Sequence, residues 1–349
     1  MPPLPKLSYV LLSHNREKYI RAAVESALAQ DYEGELEYIF SDYCSTDRTF
    51  EIIKECVAAY KGNRRVVVTR PPANQKTAGN FNHAVSLAQG DWIIRADDDD
   101  ISAVDRCAVI GKVVSSMPGC TYVATESSRY FRDEEESASV EASSIPCAQG
   151  MKPREIDIRT MSPGQCPFLP HEYSYKAWNT ACFRTFGDIP AEAYLADDYI
   201  LYFRASVLGK GVLVDNANAV LVRNNSLHQS IGSDNKDEGY RDIMRRERLY
   251  DEYQNSTAAP MRQTYEALLD FARSLPQDEQ PGVQAFLADM QEKIRATETL
   301  RSYWRKGTIN RVRIARELGM TRPYDLLRCL PMPVFAALLA VIRKFKHPH

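Results

Sequence analysis

Four consecutive aspartates, Asp97 to Asp100, follow the apolar segment Trp92 to Ala96. We call them the aspartate tetrad. Adjacent carboxylates repel one another, so the tetrad needs a metal ion, basic side chains or open water to offset the repulsion. A solvated acidic loop is the simplest interpretation. The preceding segment has strand character, however, and ligands of open α/β sheets bind beyond the carboxyl ends of strands. The tetrad is therefore a candidate binding site that requires a cationic partner.

Strand and helix patterns alternate along the first hundred residues. The β-prone apolar runs are Leu7 to Ser13, Leu36 to Ser41, Val66 to Thr69 and Trp92 to Ala96. The segments with helical spacing are Glu17 to Gln30, Arg48 to Tyr60 and Gln75 to Gln89. Repeated βα units predict a mainly parallel sheet whose strand-end loops open on one edge. The tetrad should then lie near Ser13 to Arg16 and Asp42 to Asp47.

The following part of the chain carries weaker patterns. The predicted helices are Ala103 to Met117, Tyr175 to Phe186 and Ala196 to Leu208, and the predicted strands are Thr121 to Thr125, Val212 to Val214 and Ala219 to Val222. Residues 132 to 150 have no periodicity and predict an exposed insertion or loop. The third helix opens with Asp197 and Asp198, which helix capping alone could explain, because carboxylates complement the helix dipole.

From about Glu238 the chain becomes charged and helical, with no further strand signal. Its last apolar block, Val334 to Ile342, is followed by the basic cluster Arg343 to Lys346. The block is shorter than the roughly 20 residues that span a bilayer. The pattern is typical of an interfacial membrane anchor over residues 331–346, and a terminal helix docked on the domain explains it equally well.

The composition of the 349-residue chain excludes several classes of protein. A net charge of −2 gives no general attraction to nucleic acid. Eight cysteines without a C-x-x-C pair argue against a zinc ribbon or a disulfide framework and fit a reducing cytosol. The N-terminus lacks the pattern of a signal peptide. We therefore expect a cytoplasmic enzyme, and the sequence carries no information on its oligomeric state.

Four motifs in this order resemble the family 2 glycosyltransferases of the GT-A fold, which transfer sugars from nucleotide-sugar donors. The motifs are Val10 to Arg16, Asp42 to Asp47, Asp97 to Asp100, and Asp197-Asp198 with the residues up to Arg204. The resemblance covers about residues 7 to 230. Tyr43 and Cys44 depart from the usual Asp-Gly, and the segment Lys76 to Asn82 retains only the last Asn of the usual G-x-x-x-A-R-N.

The resemblance implies an α/β GT-A fold, with a Rossmann-like, mainly parallel sheet flanked by helices and a C-terminal helical appendage. Residues 1–235 would form the catalytic domain, with a nucleotide-sugar half of about residues 1–100 and an acceptor half of about residues 101–235. Residues 236–349 would form the helical region, including the predicted membrane-surface segment 331–346.

The resemblance also assigns the donor site. Asp42 would accept a hydrogen bond from the imide N–H of a uracil or thymine base, beside Ser13 and His14; an Asx turn is the simpler role for Asp42. The other nucleotide-binding candidates are Lys76, Asp97 and Asp98. Asp99 would bind Mg²⁺ or Mn²⁺, with a register ambiguous by one residue, and His228 would assist unless it is merely a solvated loop residue.

For the acceptor half, the resemblance makes Asp198 the general base that deprotonates an acceptor hydroxyl. A single base opposite the leaving group implies direct displacement with inversion. The acceptor-site candidates are His171, Tyr175, Trp178 and Asp197, with core packing equally plausible for Trp178. The expected acceptor is a glycan or a lipid-linked sugar of a bacterial surface polysaccharide, such as lipopolysaccharide or capsule, at the inner face of the cytoplasmic membrane.

Two other functions fit parts of the pattern. A sugar-phosphate nucleotidyltransferase also uses an α/β sheet and paired aspartates on a metal, but it usually carries a glycine-rich loop after the first strand, and Ser13 to Arg16 has no glycine. A non-catalytic module that binds glycan or nucleotide is the second alternative. The presence of Asp198 together with the tetrad argues against it.

Overall fold

The computed structural model describes residues 3–126, 129–131, 133–144, 151–160, 175–193, 197–215, 217–223, 240–320, 322 and 327–346. Its first part contains four parallel strands in the order β3-β2-β1-β4. These strands are β1 (Leu7–Ser13), β2 (Leu36–Asp42), β3 (Val66–Thr69) and β4 (Trp92–Asp97). The helices between them are α1 (Ile20–Leu28), α2 (Thr49–Ala59) and α3 (Lys76–Ser86). The predicted βα units are confirmed.

The same sheet is extended by four further strands, in the overall order β3-β2-β1-β4-β9-β6-β10-β8. These are β6 (Cys120–Thr125), β8 (Lys152–Ile156), β9 (Tyr175–Asn179) and β10 (Lys210–Asp215). Strand β9 is antiparallel to both neighbours, and β8 is antiparallel to β10. A second sheet has the order β5-β11-β7, formed by β5 (Ile101–Ser102), β7 (Arg129–Phe131) and β11 (Val220–Arg223). The predicted α/β class with a mostly parallel sheet is confirmed.

The helices of this part are α4 (Arg106–Ser116), α5 (Glu136–Ser143), α6 (Ala181–Phe186) and α7 (Asp197–Leu208). Two local predictions were wrong. The predicted helix from Tyr175 begins as strand β9, because Ala177 and Trp178 are both fully buried and an apolar run buried on both faces carries no distinctive period. The predicted loop at 132–150 contains α5, whose buried face is formed by the small residues Ser139 and Ser143, one helical turn apart.

The described part of the chain after residue 240 is helical, as predicted. It contains α8 (Tyr240–Ala272), α9 (Gln280–Leu300), α10 (Thr308–Glu317) and α11 (Met332–Lys346). The chain divides into two compact units, residues 1–226 with 267–286 and residues 227–266 with 287–349. The domain boundary at residue 235 stays a prediction. Within the described residues, none of the helices combines the length and the apolar character that crossing a bilayer requires.

Candidate active site

The carboxyl ends of three neighbouring parallel strands bring the predicted donor-site residues together. Ser13 of β1 is in register with Asp42 of β2, and Leu12 is in register with Asp97 of β4. The loop after β1 is joined to the loop after β2, since the Asn15 side-chain oxygen accepts a hydrogen bond from the Thr46 N–H at 2.8 Å. Asn15 adopts a positive φ of 53°, which asparagine tolerates better than most residues.

The four aspartates of the tetrad have different surroundings. Asp98 accepts a hydrogen bond from the His14 N–H at 2.8 Å, and Asp100 accepts one from the Arg223 N–H at 2.8 Å. The Asp97 side chain is 49% exposed, whereas Asp99 is buried. Burial and the neighbouring charge of Asp99 raise the pKa of Asp98 well above its usual value. Two of the four carboxylates thus bind backbone amides of the protein itself.

Two arginines offset the charge of the tetrad. Nε of Arg16 lies 3.4 Å from a carboxylate oxygen of Asp98 and 3.8 Å from one of Asp99. Arg223 is 1% exposed, and its Nε donates to the carbonyl oxygen of Asp99 at 2.9 Å. The remaining guanidinium nitrogens of Arg223 contact Asp133 and Glu136. The turn that carries the tetrad is therefore fixed from both sides by basic residues.

Asp42 is fully buried, and its carboxylate is held by Arg70 and Ser45. Its carboxylate accepts hydrogen bonds from Nε of Arg70 at 2.8 Å and from the Ser45 N–H at 3.1 Å, and it also contacts the Ser45 hydroxyl. The bond to the Ser45 amide spans three residues, one more than in the Asx turn that the sequence left as an alternative. The role of Asp42 towards a nucleotide base stays a prediction.

Two polar atoms beside Asp42 are buried without a hydrogen-bond partner: the Ser13 hydroxyl oxygen and Nδ1 of His14. Buried polar atoms are usually paired, so orphaned ones at a strand edge mark a place where a ligand could supply the partner. The His14 ring stacks on Tyr43, with ring centroids 4.6 Å apart and planes inclined by 16°. Tyr43, which departs from the family pattern, thus forms part of this wall.

The segment Lys76 to Asn82 forms most of α3. Lys76 is exposed at the start of the helix. Asn80 is buried and exchanges two hydrogen bonds with Ser41 of β2. Asn82 binds both backbone groups of Ile189, at 2.7 and 2.9 Å. The two asparagines attach α3 to the sheet and to the segment around Ile189, and nothing in these contacts assigns a ligand to Lys76.

Asp197 and Asp198, in the first turn of α7, contact two cations from the sheet. Nη1 of Arg95 donates to Asp197 at 2.6 Å and to Asp198 at 3.1 Å. Nζ of Lys176 donates to the other oxygen of Asp198 at 2.8 Å. Nη2 of Arg95 also lies 3.8 Å from Asp97. Arg95 therefore connects the tetrad with the predicted base.

The two carboxyl groups have pKa values shifted in opposite directions. Burial raises the pKa of Asp197 to about 6, despite the attraction of Arg95. Desolvation would also raise the pKa of Asp198, but Lys176 and Arg95 together hold it below its usual value. Asp198 is 37% exposed, whereas Asp197 is 7% exposed. Asp198 is thus an ionised carboxylate that a second molecule can reach.

Comparison with known proteins relates this part of the chain to a family of enzymes. The model of the family described as "Glycosyl transferase family 2" matches residues 8–169, which contain the first three motifs. Residues 8–169 belong to glycosyl transferase family 2. We refer to this part as the family 2 domain. Together with the eight-stranded sheet and its flanking helices, the match confirms the predicted GT-A fold.

Two relatives each match the chain over just under 100 residues. The chain is 37% identical over 98 residues to the "Putative glycosyltransferase EpsE" of Bacillus subtilis, covering 28% of this chain and 34% of EpsE. It is 31% identical over 97 residues to the poly(ribitol-phosphate) β-N-acetylglucosaminyltransferase TarS of Staphylococcus aureus, covering 27% of this chain and 16% of TarS. The matched stretch thus spans about a third or less of these relatives.

A solved structure resembles the chain over nearly its full length. The crystal structure of S. aureus TarS 1–349 in complex with UDP covers 99% of this chain and 93% of that one, with a TM-score of 0.50 and 14% sequence identity. At this identity the likeness shows a shared fold only. It includes helices beyond the family 2 domain, in agreement with the predicted C-terminal helical appendage.

The predicted acceptor residues lie in different surroundings, where the structure describes them. Trp178 is fully buried against Tyr122, with ring centroids 5.8 Å apart, so the core-packing alternative is the one that the structure shows. Asp197 pairs with Arg95, as described above. Tyr175 opens β9. His171, and the predicted metal residue His228, lie outside the described residues.

The chemistry of the tetrad fits a hard divalent cation. Carboxylate oxygens are the ligands that Mg²⁺ and Mn²⁺ prefer, and the Asp97 side chain is about half exposed at the strand edge. Within the described ranges, no set of three His, Cys, Asp or Glu side chains is arranged as a metal cluster.

Sequence reasoning missed the basic half of the site, namely Arg16, Arg70, Arg95, Lys176 and Arg223. One signal was available for Arg95, which interrupts the apolar segment before the tetrad. A charged residue in a buried strand is almost always paired, so Arg95 should have predicted an acidic partner. Lys176 has no such signal, because the sequence pattern around it predicts a helix rather than a buried strand.

Proposed function

We propose that the chain is an inverting glycosyltransferase that uses a nucleotide-diphosphate sugar, with UDP- or dTDP-sugars favoured. The observation that carries the proposal is Asp198, an ionised and accessible carboxylate connected through Arg95 to the strand edge with the tetrad. TarS, which shares the fold, has been crystallised with UDP. The orphaned polar atoms of Ser13 and His14 offer hydrogen-bonding capacity for a nucleotide beside Asp42.

The proposed reaction is a direct displacement. An acceptor hydroxyl gives its proton to Asp198 as its oxygen forms a bond to the anomeric carbon of the donor sugar. The bond between that carbon and the diphosphate breaks, and the electron pair leaves with the nucleoside diphosphate. Attack from the face opposite the leaving group inverts the configuration, and no carboxylate nucleophile takes part.

We propose Mg²⁺ or Mn²⁺ as the cofactor, which Asp99 and His228 would hold. When bound, the ion would neutralise the charge of the departing diphosphate. Asp97, Asp98 and Lys76 are proposed to face the nucleotide. In support of this, Asp98 accepts a hydrogen bond from the N–H of His14, a residue predicted to lie beside the nucleotide base.

The proposed acceptor is a hydroxyl of a glycan or lipid-linked sugar in the synthesis of a bacterial surface polysaccharide at the cytoplasmic face of the membrane. TarS acts on poly(ribitol phosphate), which is consistent with this class of acceptor.

We also propose that α11 binds an anionic membrane surface. Its Phe335, Ala336 and Leu339 are buried, whereas Val334 and Val341 are 46% and 51% exposed, so the helix is both docked and partly uncovered.

The decisive experiment is the substitution Asp198→Asn. Loss of the base should reduce transfer about 10²- to 10⁴-fold, the usual contribution of general base catalysis. Transfer is measured as nucleoside diphosphate release from a panel of UDP-, dTDP- and GDP-sugars. The variant should keep its thermal stabilisation by UDP with Mn²⁺, because Asp198 does not bind the nucleotide in this proposal.

The matched control is Asp188→Asn, which removes an exposed carboxylate elsewhere in the acceptor half. Its transfer rate should equal that of the unchanged protein. Full turnover by the Asp198→Asn variant would remove Asp198 from the role of base. Binding of UDP by the unchanged protein without transfer from any donor would instead favour a non-catalytic module.

A further inference from the structure

Two cations face each other at the point where β4 meets β9. The antiparallel ladder between these strands ends with the pair Ile94 and Ala177. Arg95 and Lys176 each follow that pair by one residue, in opposite directions along their strands. Residues opposite each other on antiparallel strands project from the same face of the sheet. Like charges in this arrangement repel, so the pair requires anions between or above its members.

The anions come from α7. Asp197 and Asp198 supply two negative charges to the two positive ones, through contacts of 2.6, 2.8 and 3.1 Å. Both cations are mostly buried, with Arg95 16% and Lys176 10% exposed. These four groups balance in charge among themselves, and Asp97 adds a further carboxylate 3.8 Å from Arg95. Each oxygen of Asp198 is held by a cation from a different strand.

We propose that Lys176 and Arg95 are positioning residues that keep Asp198 ionised and fix the orientation of its carboxylate for the transfer reaction. This inference rests on the proposed role of Asp198 as the base. Neither cation needs to touch a substrate for this role. Together they anchor both oxygens, while the exposed third of the side chain leaves lone pairs available to an acceptor hydroxyl.

The arrangement has a consequence for the pH dependence of the reaction. A base acts in its ionised form, and opposite charges at this distance lower the pKa of a carboxyl group by about 1 to 3 units. Removing Lys176 should therefore raise the pKa of Asp198, so that a higher pH is needed to ionise it. The charged groups that face Asp198 are Arg95, Lys176 and Asp197, and of these Arg95 and Asp197 remain in such a variant.

The test compares Lys176→Met with Lys176→Arg. Lys176 is preferred to Arg95 because Arg95 also lies 3.8 Å from Asp97 and its removal would disturb the donor side. In Lys176→Met the acid limb of the kcat against pH profile should move up by about 1 to 3 pH units, with an unchanged KM for the donor. Lys176→Arg should restore most of the original profile, because it keeps the positive charge.

The matched control is Lys210→Met, since Lys210 lies in the same sheet and pairs with Glu155 at 2.8 Å. Its profile should coincide with that of the unchanged protein. A drop in kcat of the same size at every pH in Lys176→Met would overturn the inference and leave Lys176 a purely structural residue. If Asp198→Asn is inactive but the acid limb of the Lys176→Met profile does not move, only this inference is contradicted. If Asp198→Asn is active, the assignment of Asp198 as the base is itself contradicted.

Discussion

The four aspartates of the tetrad differ because each meets a different partner. Asp100 is held by the Arg223 amide and Asp98 by the His14 amide, while Asp97 is open to solvent. Arg16 stands between Asp98 and Asp99, at 3.4 and 3.8 Å. A guanidinium in this place neutralises the same carboxylates that a divalent cation would use. Arg16 should therefore compete with such a cation.

The substitution Arg16→Gln tests this competition. Without the positive charge, Asp98 and Asp99 should attract Mn²⁺ more strongly, and we expect its affinity to rise several-fold. Isothermal titration calorimetry without nucleotide measures this directly. Arg48→Gln is the control, because Arg48 is 69% exposed and pairs with Glu55 away from the tetrad. Unchanged or weaker Mn²⁺ binding in Arg16→Gln would show that Arg16 does not compete.

At the level of elements, the site depends on how α3 and α7 are attached to the sheet. Asn80 binds Ser41 at the end of β2, and Asn82 binds the backbone of Ile189, eight positions before α7 begins. Ile189 is 1% exposed, so water cannot readily replace these hydrogen bonds. The Asn that the segment shares with the family motif is thus used to hold the approach to the predicted base.

We expect Asn82→Ala to destabilise the protein by about 1 to 3 kcal/mol, the cost of leaving buried backbone groups unpaired. The melting temperature should fall by several degrees, and transfer should fall as well, because the segment leading to Asp198 loses its anchor. Differential scanning fluorimetry and the donor assay measure the two effects. Asn310→Ala, at an exposed position of α10, should change neither. A variant of Asn82 with normal stability and activity would contradict this account.

At the scale of the molecule, the unit with residues 227–266 and 287–349 contains α11, whose two sides differ. One side packs with Ile243 in a small core, and the other leaves Val334, Leu338, Val341 and Ile342 exposed at spacings of four, three and one. Such a stripe next to the basic cluster of residues 343–346 is typical of helices that lie on anionic membranes. The sequence alternatives of anchor and docked helix are therefore compatible with each other.

The double substitution Leu338→Ser with Val341→Ser should release the protein from phosphatidylglycerol vesicles in a flotation assay. Both side chains are exposed, at 40% and 51%, so the melting temperature should stay the same. Ile309→Ser removes a side chain that is 86% exposed outside the stripe and should leave binding intact. If the unchanged protein does not float with these vesicles, or if the double variant floats equally well, α11 is not a membrane anchor.

The sequence by itself determined the βα units, the parallel direction of the first strands and the position of the tetrad, since these follow from local hydrophobic periods and from the rule that strand ends share one edge. It also located Asp198 at a helix start. The helix α5 escaped prediction because its buried face consists of serines, and β9 escaped because it is buried on both sides.

Only the tertiary structure decided which charges meet. Arg95 lies 81 residues before Lys176, and Arg16 lies about as far before the tetrad, so no local pattern relates them. The parallel pairing of β1 with β4 brings Arg16 to the tetrad. The antiparallel strand β9, inserted between β4 and β6, brings Lys176 beside Arg95, where both contact α7. The acidic residues of the site are clustered in the sequence and can be identified from it. The cations that pair with them lie far away in the sequence and become their neighbours only when the sheet forms.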